Sequence, residues 1–183
     1  FDSLNWMKNI APCIEMVRNK TRGIAEGALC YTGDILDPKR NKYDLNYYLR
    51  LAKSLEGAGA HILAIKDMSG LLKPYAAKIL IEALKDTVKI PIHLHTHDTS
   101  SLQSATYMMA IEAGVDVVDC ALGALSGLTS QPNLNAIVEM MRFHKRENPY
   151  DIKSLNQFST YWEGVRQYYY PFESGMKVSD AEV

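Results

Sequence analysis

Four times along this chain a short β-rich run is followed by a helical stretch, and that alternation constrains the fold more than any other feature. The first run is Gly23 to Tyr31 (GIAEGALCY), closed by Thr32-Gly33-Asp34. The helix after it, predicted over about Asp44 to Glu56, carries Leu45, Tyr48, Leu49, Ala52 and Leu55 at helical spacing. The second run, His61 to Lys66 (HILAIK), passes through Asp67-Met68-Ser69-Gly70 into a helix that starts near Pro74 and presents Ala76, Ile79, Leu80, Ala83 and Leu84. Ile90 to His97 (IPIHLHTH) leads through Asp98-Thr99-Ser100 into a third helix. Val115 to Leu122 (VDVVDCAL) is followed by Gly123 to Asn133 and a helix ending near Arg142.

Strands alternating with helices of this length specify an α/β fold with a parallel sheet covered by helices. An open doubly wound sheet and a (β/α)8 barrel both fit. A GxGxxG turn would favour the open sheet, and the chain has none. The polar residues favour the barrel: Lys66, His95, His97 and Asp119 fall at or near strand C-terminal ends, where barrel enzymes place their chemistry. A whole barrel needs about 250 residues, and this chain has 183. The expectation is therefore part of a TIM barrel, about its last four βα units, over residues 1–147, with a mostly helical extension over 148–183. In that extension Asp151 caps a helix carrying Ile152, Leu155, Phe158, Trp162 and Val165, and Tyr168-Tyr169-Tyr170-Pro171-Phe172 ends it. That aromatic cluster reads as packing against a neighbouring segment or subunit.

Composition narrows the function classes. A net charge of -1 gives no pull toward nucleic acid or anionic membrane. No apolar run approaches the ~18 residues that a membrane span needs. The start, Phe1-Asp2-Ser3-Leu4-Asn5-Trp6, lacks signal-peptide order and reads as the middle of a domain. Cys13, Cys30 and Cys120 are far apart and odd in number, which suits free, mostly buried thiols in a reducing compartment.

Alternate residues of a strand face one side. His93, His95 and His97 therefore point together, and the two nearest the C-terminal mouth are the better ligand candidates, leaving His93 structural. From this spacing alone, hydrogen-bonded core histidines fit as well as metal ligands. Lys66 shares a face with Ala64 and Ile62 and points to the barrel axis, while Leu63 and Ile65 face the helices. Beside a cation its neutral amine would be favoured and could take up carbon dioxide as a carbamate, an anionic oxygen donor. From periodicity alone, pairing with Asp67, Asp119 or another carboxylate is the simpler reading.

The motifs add a resemblance. Ile65-Lys66-Asp67-Met68-Ser69-Gly70-Leu71-Leu72-Lys73-Pro74 and Pro91-Ile92-His93-Leu94-His95-Thr96-His97-Asp98-Thr99 are similar to the lysine-bearing and metal-binding strand ends of the pyruvate carboxylase family, in its carboxyltransferase domain. Phe1-Asp2-Ser3-Leu4-Asn5, Cys30-Tyr31-Thr32-Gly33-Asp34 and Ser126-Gly127-Leu128-Thr129-Ser130-Gln131-Pro132 resemble the same domain, in the same order and spacing. The resemblance implies that Lys66 is a carboxylated, catalytic lysine and that Lys66, His95 and His97 hold a divalent metal, zinc or manganese. It further implies a carboxyl group moved from carboxybiotin to pyruvate to give oxaloacetate. Biotin would be borne by a biotin carrier domain, and ATP used by a biotin carboxylase domain, of the same parent chain. That parent would be a homo-oligomer in bacterial cytoplasm or the mitochondrial matrix. The family's metal-binding aspartate, pyruvate-binding arginine and glutamine, and proton-relay threonine are expected outside this span, so the fragment alone is expected to be inactive. Thr129, Ser130 and Gln131 are expected near the mouth, with Ser130 as a helix cap. Two loop positions depart from the family: Ser101 stands where glycine is frequent, and Leu125 where methionine is common. Rival readings are a biotin-dependent oxaloacetate decarboxylase or transcarboxylase subunit, a metal-dependent aldolase or lyase of the isopropylmalate synthase type, and a non-catalytic assembly surface. A lysine like Lys66 argues against the aldolases.

Overall fold

A computed structural model of the chain describes residues 1–182; Val183, the last residue of the predicted extension, lies outside the described residues. The elements in chain order are α1 (Met7–Lys20), β1 (Glu26–Cys30), α2 (Leu45–Gly57), β2 (Ile62–Asp67), α3 (Pro74–Thr87), β3 (Ile92–Thr96), α4 (Gln103–Glu112), β4 (Val117–Val118), α5 (Leu134–Met140) and α6 (Ile152–Tyr169). The strands form one parallel sheet in the order β1-β2-β3-β4, each crossing over through a helix. The α/β reading holds: this is part of a (β/α)8 barrel.

One face of the sheet makes the core. Leu29, Leu63, Ile65, Ile92 and Leu94 are fully buried against Tyr48 and Leu55 of α2, Leu80 and Leu84 of α3, and Tyr107 of α4. These side chains each remove apolar surface worth ~1.5–3 kcal/mol from water. The other face carries side chains in rows set by the parallel register. Ala28, Ala64, His93 and Val117 lie level, and Cys30, Lys66 and His95 form the next row toward the strand C-termini.

Several local expectations are corrected. α1 was not foreseen, because Pro12 lies inside it and only Ile10 and Ile14 are buried. On α3 the buried set is Ala76, Ala77, Leu80, Ile81 and Leu84; Ile79, expected inward, is 40% exposed. β4 shrinks to Val117–Val118, since only His93 and Leu94 pair with it. Cys13 is exposed rather than buried, Cys30 is buried and Cys120 is intermediate; all are free thiols. Asp44 and Asp151 cap α2 and α6 as helix-start residues should, accepting from Tyr47 N–H and from Lys153 and Ser154 N–H respectively.

On the helix side, one rung above Lys66 and His95, Asp67 pairs with Thr96 in the β2–β3 register. Asp67 is fully buried, and donors alone surround its carboxylate. The N–H groups of Ser69, Leu71 and Leu72 reach it at 3.3, 3.0 and 2.9 Å, and Thr96 Oγ1 donates at 2.9 Å. It thus ties the loop after β2 to the end of β3. Asp67→Ala leaves these donors buried without an acceptor. It is expected to destabilise the barrel by roughly 3 kcal/mol or more, measured as the lowered unfolding midpoint of the parent protein.

Candidate functional site

The three strand histidines share the inner face but not one role. His95 Nδ1 lies 2.7 Å from Asp119 Oδ2, and His97 Nδ1 lies 2.7 Å from the Thr129 carbonyl oxygen. Both partners accept, so both Nδ1 atoms carry the proton and both Nε2 atoms present lone pairs. Those two Nε2 atoms face each other at 3.2 Å. Facing lone pairs repel unless a proton or a cation lies between them. Two nitrogens on one tetrahedral metal, each ~2.0–2.1 Å from it, would sit about 3.3 Å apart, so this pair fits a divalent ion. Among the described residues no three His, Cys, Asp or Glu side chains cluster as a complete ligand set, so further donors would be needed.

His93 is engaged elsewhere. Its Nδ1 lies 3.1 Å from Glu26 Oε2, and its Nε2 lies 2.9 Å from Asp119 Oδ1, within ion-pair reach though poorly angled for a hydrogen bond. Asp119, followed by Glu26, outweighs the opposing effect of burial and raises the His93 pKa to about 9. In return His93, and after it His95, holds the Asp119 carboxyl well below the usual carboxylate range. Sequence reasoning placed Asp119 near the mouth and offered it as a partner for Lys66. The structure gives it to the two histidines instead.

Lys66 stands directly beside His95 in the β2–β3 ladder and beside Cys30 in the β1–β2 ladder. Neither expected carboxylate pairs with it: Asp67 lies on the opposite face, and among the described residues its ammonium has no carboxylate within 4.0 Å. Its Nζ instead lies 4.9 Å from the centre of the Phe1 ring. A cleft of about 280 Å³, not lined by Lys66 itself, opens between Asn5, Cys30, Tyr47, Met68 and Ser69.

The mouth loops are locked to one another. Gly70 has φ +67°, and a Cβ there would meet His97 O and Thr99 Oγ1 at 2.7 Å each, so the loop after β2 rests on the loop after β3. Buried Gln103 at the start of α4 donates through Nε2 to Gly70 O at 2.8 Å. The loop at 126–131 closes the ring, with Ser130 O accepting the Asp98 N–H at 2.8 Å. Ser130, expected as a helix cap, does not serve as one; Asn133 caps α5 by accepting from Ala136 N–H. The contribution of Thr129 comes from its backbone, which residue identity could not reveal. Its neighbours Gly127 and Leu128 both have positive φ, 83° and 52°, which turns that carbonyl region toward β3.

Similarity to known proteins is extensive. The HMGL-like family model matches residues 2–161. The chain is 53% identical over 183 residues to pyruvate carboxylase of Bacillus subtilis, covering 100% of this chain and 16% of that protein. It is 42% identical over 186 residues to the mitochondrial pyruvate carboxylase of Homo sapiens, again 16% of that protein. A solved carboxyl transferase domain from Rhizobium etli pyruvate carboxylase with pyruvate superposes with a TM-score of 0.97 at 51% identity, covering 100% of this chain and 31% of that one. This chain thus spans about a sixth of the length of the curated relatives it matches.

Two substitutions at the mouth should move stability in opposite directions. Gly70→Ala meets both a left-handed φ and a backbone oxygen, and should cost at least about 1–2 kcal/mol and loosen the loop on His97. Ser101 also has a left-handed φ, 59°. Ser101→Gly relieves that conformation and should stabilise the fold by up to ~1 kcal/mol after the entropy cost of glycine, seen as a raised unfolding midpoint. Thermal denaturation of the two variants beside the parent protein reads both signs.

Proposed function

The chain belongs to the HMGL-like family, and from that premise we propose that it supplies the lysine and histidine side of a carboxyltransferase site that moves a carboxyl group from carboxybiotin to pyruvate, giving oxaloacetate. The observation that carries this reading is the pair of converging Nε2 atoms of His95 and His97 beside Lys66 on one sheet face. The relatives support the substrate: the matched Rhizobium etli domain was solved with pyruvate, and another structure of it with oxamate and biotin.

In this proposal Lys66, carboxylated by carbon dioxide, joins His95 and His97 as a ligand of a divalent cation, zinc or manganese. The cation would supply electrostatic stabilisation of negative charge developing on the keto acid. His95 and His97 fix the direction of approach, since each ring is oriented through its Nδ1 by Asp119 or by Thr129 O. A carbamate on Lys66 would replace a positive group by an anionic oxygen donor where no other carboxylate lies within 4.0 Å among the described residues. Asp67 stays out of the chemistry and holds the loop that follows Lys66. The biotin carrier domain, the ATP-using biotin carboxylase domain, a homo-oligomeric assembly, and residence in bacterial cytoplasm or the mitochondrial matrix belong to the same proposal for the parent protein. Among the described residues, no helix is long and apolar enough to cross a membrane.

The test is fixation of labelled bicarbonate into oxaloacetate by the full-length parent, with pyruvate and ATP. Activity should require ATP and disappear with avidin, and Lys66→Ala or His95→Ala should each lose about 100-fold or more. Biotin-dependent decarboxylation of oxaloacetate without ATP would instead assign the site to a decarboxylase. A folded, metal-loaded parent with neither activity would overturn the carboxyltransferase reading.

A further inference from the structure

Behind the converging histidines, a line of polar side chains crosses the inner face of the sheet. It starts at Glu26, the first residue of β1, whose Oε2 lies 3.1 Å from His93 Nδ1. It continues from His93 Nε2 to Asp119 Oδ1 at 2.9 Å, and from Asp119 Oδ2 to His95 Nδ1 at 2.7 Å. These residues come from β1, from β3 and from the segment just after β4, so only the folded sheet assembles them.

We propose that Glu26, His93 and Asp119 form a buttress that orients His95 for metal binding, with His93 acting through Asp119. The inference rests on the reading of His95 and His97 as metal ligands. Asp119 needs such support. It follows a strand of only two residues, and its side chain is 42% exposed. A carboxylate held by one histidine alone would be free to rotate about its own axis, and the ring it orients would turn with it. His93 restrains that freedom by holding Nε2 2.9 Å from the second oxygen, an ion-pair contact rather than an aligned hydrogen bond. His93 is in turn fixed by Glu26, so both of its ring nitrogens face carboxylates and neither is left to bind a metal. Outer partners of this kind set the orientation and basicity of a ligating imidazole, and losing one costs ~10–100-fold in metal affinity. A histidine serving only to fill the core would need no carboxylate on either nitrogen.

The experiment uses the full-length parent, stripped of metal and titrated with cobalt(II), reading both affinity and the visible ligand-field spectrum. Asp119→Ala is expected to weaken cobalt binding about 10–100-fold and His93→Gln about 10-fold. The thermal midpoint of metal-stripped His93→Gln should stay near that of the stripped parent. In the Asp119→Ala background, His93→Gln should add nothing, because its effect passes through Asp119. Asp119→Asn, whose amide oxygen can still accept from His95 Nδ1, should recover part of the affinity. Unchanged cobalt affinity in His93→Gln would overturn the proposal, as would fully additive effects in the double variant. A loss of affinity matched by a fallen midpoint of the stripped protein would assign His93 to general stability and overturn it too. Control variants His95→Ala and His97→Ala must lose cobalt. If they retain it, the metal reading itself fails and the buttress falls with it; if they lose it while His93→Gln does not, only the buttress fails.

Discussion

The parallel register between β2 and β3 is the constraint on which the rest depends. It sets Lys66 level with His95 on the inner face and Asp67 level with Thr96 on the helix side. A slip of β3 by one residue against β2 would send both mouth histidines into the helical layer and bring Leu94 to the barrel axis, leaving Lys66 there without them. Two forces resist such a slip. One is burial of Leu63, Ile65, Ile92 and Leu94 against the helices. The other is the buried Asp67 carboxylate, which satisfies the loop N–H groups and Thr96 Oγ1 in this register. A buried carboxylate without its donors is costly, so the arrangement is specific as well as stabilising.

Chemistry and packing are divided between the two faces of the same strands. The helix side is apolar except for the layer of Asp67, Thr96, Gln103 and Thr106 beneath the mouth, and these four side chains are fully buried. Thr106 Oγ1 donates to Leu72 O, and Tyr107 Oη donates to Asp119 O while accepting the Thr96 N–H, so α4 supports the loop after β2 and the ends of β3 and β4 from behind. The inner face is polar, with half-buried histidines and exposed carboxylates. Its geometry is held by loops in left-handed conformations at Gly70, Ser101, Gly127 and Leu128. Strained backbone concentrated around converging polar groups is what a preorganised site requires.

Away from the sheet the packing thins. α6 has no buried residue, and Tyr168 and Phe172 beyond its middle are each 81% exposed. What anchors it is polar: Ser159 Oγ accepts the Ala124 N–H, and Arg166 donates to Ala124 O while pairing with Glu173. The aromatic run Tyr168 to Phe172, expected to pack against a neighbouring segment or subunit, stays exposed among the described residues, with the Lys177 ammonium 6.0 Å from the Tyr170 ring centre.

Periodicity in the sequence determined the alternation of strands and helices and the inward face of Lys66, His93, His95 and His97, and residue type determined the helix cap at Asp151. Those features depend on neighbours within a few residues, so local spacing is enough to read them. The motifs around Lys66 and His95 carried the family resemblance for the same reason: each is contiguous. What local spacing could not give was every pairing between distant segments. Helix α1 was hidden by Pro12, because its burial depends on Ile10 and Ile14 meeting a sheet that lies later in the chain. Asp119 could be placed near Lys66 by strand position, but only the register of β3 with β4 gives it to His93 and His95. Thr129 acts through a carbonyl, an atom that every residue has, so its identity says nothing of its role. The sequence by itself decided which side chains could do the chemistry; tertiary structure alone decided which of them meet, because contacts across tens of residues arise only when the sheet is assembled.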